Sequence, residues 1–582
     1  MKSLPCLSQR QMSLALSLYI GLALNSANLM RNAMAGGGLE ITSALLSAIA
    51  LVGFCYLLIS AFSLFGQTLY KTLASFTLLV SAAASYYMIF FNVVIGYGVI
   101  VSTLTLDTDL NGEALGHEFF LWWTLTGIVP VVLLWCTPLS SSIYQRMRGI
   151  KHMPPEYASL GYSSLKYYAR RSIPILCCLL AVNLCIKTIV HLTENQARKN
   201  NQYTASIGGV IAHSYLPTNW IASLAIYVHQ LGKEDKSNKQ LFDPSKHFTY
   251  QPPGTLDDLF VVFVIGETTR WDHMGLFGYE RNTTPLLSQE PNLIALRGTS
   301  CDTATKLSLR CMFVRENGTA DDDQRTLKER NVFAVMRKLG FTSELFGMQS
   351  EAWFYSSLDA NSYEIREIIA SQYAHSKRPI DDMLLVDQLE KSIHKYKQGK
   401  HLVVLHTKGS HHLYSQRYTR EFARFTPECM DIDDTCSREQ LVNSFDNTVL
   451  YVDHMLKTVF DKLRDKNALV FYVPDHGESI GENSHFHATP KELAPPEQFR
   501  VPFLVWTSDK FIAQPQNQQL IANLKKREDN NFLPHHEQIF DSLLGCIGYS
   551  SPDGGIKAQN NWCSDNPTSM AFDNHPASLS QR

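Results

Sequence analysis

Three stretches of this 582-residue chain place chemically capable side chains directly after an apolar run of strand length. The run that starts at Leu259 stops at Gly266 and presents Glu267, and the run from Ala468 to Pro474 ends in Asp475-His476-Gly477. A third, His401-Leu-Val-Val-Leu405, ends in His406-Thr-Lys-Gly409-Ser-His411. Short apolar runs closed by Gly or Pro read as strands buried on both faces, and parallel sheets bind ligands at the carboxyl ends of such strands. Carboxylates with an imidazole form the mixed oxygen and nitrogen set that zinc accepts in a tetrahedral site with one place open for substrate. The pattern therefore gathers Glu267, Asp475 and His476 around a metal.

A nucleophile is still required, and the stretch Thr299-Ser-Cys301-Asp-Thr303-Ala-Thr305-Lys306-Leu-Ser308-Leu-Arg310-Cys311 offers three hydroxyls. A bond between Cys301 and Cys311 would pin this loop and fix a hydroxyl in space, which pre-organised catalysis needs. Threonine is unreactive at neutral pH until a metal or base lowers its pKa. On chemistry alone Thr303, Thr305 and Ser308 are equivalent candidates.

The elements that must position these groups alternate. Buried-type strands at 259–265, 342–346, 402–405, 468–473 and 501–506 are interleaved with helical stretches at 326–339 and 438–463, which predicts an α/β domain with a mostly parallel sheet. Six cysteines of this half fall in close pairs, Cys301/Cys311, Cys429/Cys436 and Cys546/Cys563, with no C-x-x-C. That spacing predicts local disulfides in an oxidising compartment rather than a zinc ribbon.

The first 190 residues are of another kind, so the overall charged fraction of 18% describes neither half. Five segments, near 12–30, 43–64, 73–100, 119–136 and 172–189, are apolar enough and long enough to cross a bilayer. Lys2 and Arg10, Lys71 in a short second loop, and the cluster Arg146 to Arg171 mark the cytoplasmic side, whereas the third loop carries Asp107, Asp109 and Glu113. An odd number of crossings then exports everything after about residue 190. Asn92 and Tyr97, beside that acidic loop, form a candidate lip for an amine-bearing lipid headgroup. Residues 191–258 read as a connector, with a surface-lying helix that follows Thr218 and carries Trp220 and Tyr227. A net charge of −2 gives no nucleic-acid footprint, and no block of like charge suggests a binding tail.

Gly266-Glu267-Thr-Thr-Arg270, Gly275-Leu-Phe-Gly278-Tyr279-Glu-Arg-Asn282-Thr-Thr-Pro285, Ser300-Cys-Asp-Thr-Ala-Thr305, Cys311-Met-Phe, Gly409-Ser-His411 and Asp475-His-Gly-Glu-Ser479 together closely resemble the bacterial phosphoethanolamine transferases. The resemblance covers nearly the whole chain. It implies an inner-membrane protein with a five-helix transmembrane domain (1–190) and a periplasmic catalytic domain of the sulfatase and alkaline phosphatase type (259–564), on either side of the connector (191–258); the tail (565–582), rich in Asn, Ser, Pro and Asp, reads from its composition as disordered. By motif, Glu267, Thr305, Asp475 and His476 match the zinc ligands, and Thr305 matches the nucleophile. His411 and His487 match histidines used at a second metal or substrate position, where Ca2+ is a further candidate; His485 is the alternative to His487. Lys306 and Arg310 would attract an anionic acceptor, alongside a lipid-binding set of Asn92, Tyr97 and Glu113.

Departures narrow the expectation. Many members that modify lipid A have a lysine between paired cysteines after the strand near 346, where this chain reads Met348-Gln-Ser-Glu-Ala-Trp353. With Gly266–Pro285 and Cys301–Arg315, this resembles the branch acting on the Kdo sugar of the lipopolysaccharide inner core. The implied donor is phosphatidylethanolamine, the acceptor Kdo2-lipid A, and the protein a monomer. Transfer to a lipid A phosphate, or hydrolysis by the same fold, are the alternatives. The Cys/Ser-x-Pro-x-Arg pattern of sulfatases is absent.

Overall fold

The computed structural model describes residues 6–34, 38–104, 115–140, 175–176, 178–189, 214–237, 241–254, 258–315, 329–349, 351–356, 358, 360–376, 378–430, 436–482, 484–491 and 493–565. Glu113, Asp107 and Asp109, the basic loop from Arg146 to Arg171, and the tail lie outside them. The chain divides into two compact units, one drawn from Met1–Val101 and Ala114–Tyr227 and the other from Ser102–Glu113 and Val228–Arg582.

In the first unit, Ile41–Phe65, Gln67–Phe90 and His117–Cys136 are long and apolar enough to cross a membrane. Part of the expected fifth segment forms a shorter apolar helix, Cys178–Ile189. The expected first segment is interrupted: Gln9–Leu18 runs into a π turn, Tyr19–Ala23, before Ser26–Met34. The buried Asn25 amide there donates to Ile20 O at 2.9 Å, supplying a partner where the helix breaks. The expected third segment is too long, because its helix ends at Phe90 and a new one starts only at Tyr97.

Asn92 turns the chain between them at φ 54°. Its side-chain oxygen accepts a hydrogen bond from Arg31, so the amide read as part of a headgroup lip is engaged within the protein. Lys71 also differs from expectation. It lies inside the Gln67–Phe90 helix, buried, and its ammonium donates to Trp135 O at 3.1 Å and Thr137 O at 3.0 Å. Those carbonyls end the His117–Cys136 span, where a cation satisfies free acceptors. Trp220, expected at a membrane surface, is buried and donates to Ser81 Oγ at 3.2 Å.

The second unit is built on a seven-stranded sheet. Its strands are β1 (Leu259–Gly266), β2 (Leu293–Thr299), β3 (Phe341–Gly347), β4 (Ser362–Glu364), β5 (Lys400–His406), β6 (Ala468–Pro474) and β7 (Arg500–Thr507). Across the sheet the order is β2-β7-β6-β1-β5-β3-β4. All pairs are parallel except those of β7, which runs antiparallel to β2 and β6, so the sheet is mixed and mostly parallel. Neither β2 nor β4 was anticipated: β2 is broken by Arg297 and Gly298, and β4 is three residues long. The helix expected at 326–339 is described as Val332–Lys338.

Alternate residues of β1 explain its unbroken apolarity. Val261, Phe263 and Ile265 enter one core with Phe313, Phe333 and Trp562, whereas Phe260, Val262 and Val264 enter another. The second core lies under α3 (Arg438–Leu463), from which Phe445, Val449, Leu456 and Phe460 project, and Phe460 stacks on Trp506 of β7 at 4.9 Å. Two further helices bear on the site: α1 (Thr305–Met312) and α2 (Met383–Lys395). Three disulfides, Cys301–Cys311, Cys429–Cys436 and Cys546–Cys563, tie local loops.

Candidate active site and metal centre

The three central parallel strands end side by side, with Ile265 paired to His406 and Gly266 to Pro474. Their continuations are stitched together: Asp475 N donates to Gly266 O (3.0 Å), Thr407 N to Ile265 O (3.0 Å) and Ser410 N to Glu267 O (2.9 Å). Gly409 makes this approach possible. Its φ is +51°, and a Cβ there would fall 2.6 Å from Glu267 O, so only glycine fits.

The side chains these ends carry converge. His476 Nδ1 donates to Gly477 O at 2.9 Å, which fixes the tautomer and leaves Nε2 with its lone pair toward the site. Nε2 lies 3.3 Å from Asp475 Oδ2, 3.5 Å from Glu267 Oε1 and 3.2 Å from Thr305 Oγ1. Thr305 Oγ1 is also 3.3 Å from Glu267 Oε2. Burial lowers the His476 pKa to about 4, so the ring is neutral and able to ligate.

The structure separates the three hydroxyls of the Cys301–Cys311 loop. Thr303 Oγ1 donates to Thr489 O, and Ser308 Oγ donates to Asp302 O at 3.1 Å. Thr305 alone of the three faces Glu267 and His476. It is the first residue of α1, where the free N–H groups and helix dipole favour developing negative charge.

The donor set fits a divalent cation. Glu267 Oε1, Asp475 Oδ2 and His406 Nε2 are buried without a hydrogen-bond partner. Glu267, His406 and Asp475 present atoms within 4.8 Å of one another, as do Glu267, His476 and His487. Burial, and then the adjacent Asp475 charge, push the Glu267 carboxyl well above its ordinary range. Two fully buried carboxylates in contact call for a cation between them.

Around this centre, the His487 ring packs 4.4 Å from His476 and 5.4 Å from His411. Burial lowers both His411 and His487, the latter to about 4. His485 turns elsewhere, 5.4 Å from His412, so His487 rather than His485 joins the cluster. Lys306 is partly exposed on α1, but Arg310 is 4% exposed and packed inside, not on a solvated surface. Asn92 and Tyr97 belong to the first unit.

Several neighbours of this cluster escaped the sequence reading. His406 was seen only as a strand end, although its Nδ1 lies 2.7 Å from Tyr355 Oη, its Nε2 is buried without a hydrogen-bond partner and its ring belongs to the group with Glu267 and Asp475. Gln349, noted only as a departure, donates to Glu267 Oε2 at 2.8 Å and Thr407 O at 3.1 Å. Glu478 is buried, with Tyr414 Oη donating to Oε2 at 2.9 Å and His487 Nδ1 3.1 Å from Oε1. Its position two residues after His476 was the only sequence signal.

A mostly parallel sheet with carboxylate, imidazole and threonine gathered at its carboxyl edge defines a sulfatase-type catalytic domain. The sequence pattern described as Sulfatase matches residues 260–549, and that described as Phosphoethanolamine transferase EptA/EptB matches 51–152. The chain is 46% identical over 572 residues, 97% of its length and 98% of the other's, to a Kdo(2)-lipid A phosphoethanolamine 7''-transferase of Escherichia coli (strain K12). It is 26% identical to phosphoethanolamine transferase EptA of Salmonella typhimurium, over 94% of this chain and 95% of that one. The solved integral membrane lipooligosaccharide phosphoethanolamine transferase A of Neisseria meningitidis superposes with a TM-score of 0.79 at 25% identity, covering 96% of this chain and 99% of that one. This chain belongs to the phosphoethanolamine transferase family.

Proposed function

We propose that this protein transfers phosphoethanolamine from phosphatidylethanolamine to a Kdo sugar of the lipopolysaccharide inner core. The observation that carries the reading is the contact of Thr305 Oγ1 with both Glu267 and His476, in a chain that is 46% identical to a Kdo(2)-lipid A transferase.

Glu267, Asp475, His476 and Thr305 would hold Zn2+, whose preference for oxygen and nitrogen donors they match. When bound, the ion supplies Lewis-acid stabilisation of negative charge at the threonine and phosphoryl oxygens. In the first displacement the Thr305 Oγ–P bond forms as the bond from phosphorus to the diacylglycerol oxygen breaks, and the threonine proton passes to that departing oxygen. In the second, a Kdo hydroxyl loses its proton, its oxygen bonds to phosphorus, and the Thr305 Oγ–P bond breaks with the proton returned to Oγ. His411 and His487, neutral and with ring centroids 5.4 Å apart, would carry these protons. The N-terminus of α1 favours the oxyanion at Thr305 in both steps. His411 and His487 also offer a place for a second divalent ion, such as Ca2+.

The remaining organisation belongs to the same proposal: residues 1–190 as five membrane helices in the inner membrane, 191–258 as connector, 259–564 as a periplasmic catalytic domain, and a monomer. The deciding experiment is mass spectrometry of lipopolysaccharide from cells with and without the protein. A phosphoethanolamine-sized addition on the core sugar is expected; the same addition on lipid A would overturn the acceptor.

A further inference from the structure

We infer that His536 is a positioning residue for the nucleophile: its imidazole ties the end of β6, from which Asp475 and His476 extend, to the loop that delivers Thr305. The role rests on the function proposed above and adds a residue outside the proposed ligands and proton carriers. His536 is fully buried. Its Nε2 lies 2.9 Å from Pro474 O, and its Nδ1 accepts from Cys301 N at 3.3 Å. A backbone N–H can only donate, so Nδ1 carries the lone pair and Nε2 the proton, which it gives to Pro474 O. The sulfur of Cys301, bonded to that of Cys311, lies 3.5 Å from the same Nδ1. Burial keeps the ring well below its ordinary pKa, and Nδ1 remains an acceptor.

The peptide between Pro474 and Asp475 is gripped from both sides. Its N–H donates to Gly266 O at 3.0 Å, toward β1. A trans peptide points its C=O and N–H in opposite directions, so Pro474 O faces the β7 side. The register of β6 with β7 runs only from Leu469 to Tyr472, and Pro474 O has passed the end of that ladder. A buried carbonyl needs a partner, and the imidazole supplies it. A row of hydrogen bonds therefore runs from the Gly266–Glu267 peptide through the Pro474–Asp475 peptide and the His536 ring to Cys301. From there the constraint reaches Thr305 over four residues. Asp302 O accepts from Ser300 Oγ at 2.7 Å and from Ser308 Oγ at 3.1 Å, Asp302 Oδ1 accepts from Thr303 N at 2.8 Å, and the disulfide joins Cys301 to α1. A shift of Cys301 is thus passed to the start of α1, where Thr305 Oγ1 meets Glu267 and His476. The ring itself is held in place. Phe503 of β7 packs 5.7 Å from it, and Thr299 N of β2 donates to Pro534 O at 3.1 Å. Gly298 allows that approach, since a Cβ there would fall 2.3 Å from the Phe503 ring and 2.8 Å from Pro534 O.

The test uses the full-length protein in detergent with phosphatidylethanolamine and no acceptor. Wild type is compared with His536→Ala, His536→Asn and His536→Gln, with bound metal and thermal unfolding measured on each. The asparagine amide falls near the place of Nδ1 and the glutamine amide near that of Nε2, so each keeps one end of the bridge. Diacylglycerol release and the mass added to the chain are followed against donor concentration, well below each unfolding temperature. His536→Ala is expected to lower the maximal rate of adduct formation about 10-fold or more, because misplacing a reacting group by about 1 Å can cost about 100-fold. The half-saturating donor concentration and the bound metal are expected to stay as in wild type, and the two amide variants to fall between alanine and wild type. A role confined to stability would lower the unfolding temperature and leave the rate of the folded enzyme unchanged, and that result overturns the assignment. So does a change in half-saturation alone, a loss that tracks bound metal, or amide variants no faster than alanine. If His536→Ala does not fold, the amide variants are read directly against wild type, and equal rates in both overturn the role. If wild type forms no adduct, the proposed function fails and takes this role with it; a wild type and variants that load at equal rates sink His536 alone.

Discussion

Gln349 Nε2 lies 2.8 Å from Glu267 Oε2, while Glu267 Oε1 is left without a hydrogen bond. The amide therefore decides which carboxylate oxygen faces the cation site, and its second contact, to Thr407 O at 3.1 Å, keeps it in place. Partners of this kind typically hold about 10–100-fold in metal affinity. Gln349→Leu is expected to weaken zinc binding by about that factor. Competition with a chelator of known affinity measures it, and unchanged affinity would mean that the carboxylate is oriented by something else.

Thr305→Ala is expected to abolish formation of the phosphoethanolamine adduct and release of diacylglycerol, while Thr303→Ala and Ser308→Ala retain adduct formation. The latter two hydroxyls are committed to Thr489 O and Asp302 O, whereas Thr305 Oγ1 contacts Glu267 and His476. Intact mass of the protein after incubation with phosphatidylethanolamine reads all three. An adduct on Thr305→Ala would move the nucleophile elsewhere.

Much of this cluster was legible because β1, β5 and β6 are each buried along their length, so their apolar runs end sharply at the residues that converge. What the residues alone left open was which hydroxyl faces them, since that depends on how β2 and α1 deliver the Cys301–Cys311 loop. β2 itself was hidden by Arg297 and Gly298, which interrupt its apolar face at an edge of the sheet. Gln349 and His406 were invisible as functional residues for a different reason. Each acts through a neighbour brought in by strand pairing, Glu267 or Asp475, and no spacing along the chain encodes that contact. In the membrane half, hydropathy located apolar stretches but not the breaks at Asn25 and Asn92, which single polar side chains stabilise.

The Cys301–Cys311 bond closes the loop that carries Thr305, with a separation of 10 residues. Closing a loop of this size typically contributes about 2–4 kcal/mol. Replacing both cysteines by serine is expected to lower stability by about that amount and to slow diacylglycerol release at least 10-fold, since small misplacements of a nucleophile are expensive. Thermal unfolding and turnover check the two separately, and full activity at reduced stability would show that α1 is held without the bond.

Glu478 offers a pH test with a defined sign. Burial raises its pKa from 4.5 to about 8, so at neutral pH it is mostly protonated, accepting from Tyr414 and facing His487 Nδ1. Between pH 4.5 and 8 the folded chain holds a proton that the unfolded chain has lost, so this group's contribution to stability is full below about pH 4.5 and is lost as pH rises through about 8. Glutamine reproduces the protonated state, with its carbonyl accepting from Tyr414 and its amide donating to His487. Glu478→Gln should therefore keep most activity at pH 7 and gain stability relative to wild type as pH rises from 4.5 to 8, with no further relative change above. Thermal unfolding of both proteins across that range measures the difference. A constant offset would show that Glu478 is ionised in the folded protein, and a large loss of activity in the variant at pH 7 would show that its charge is used.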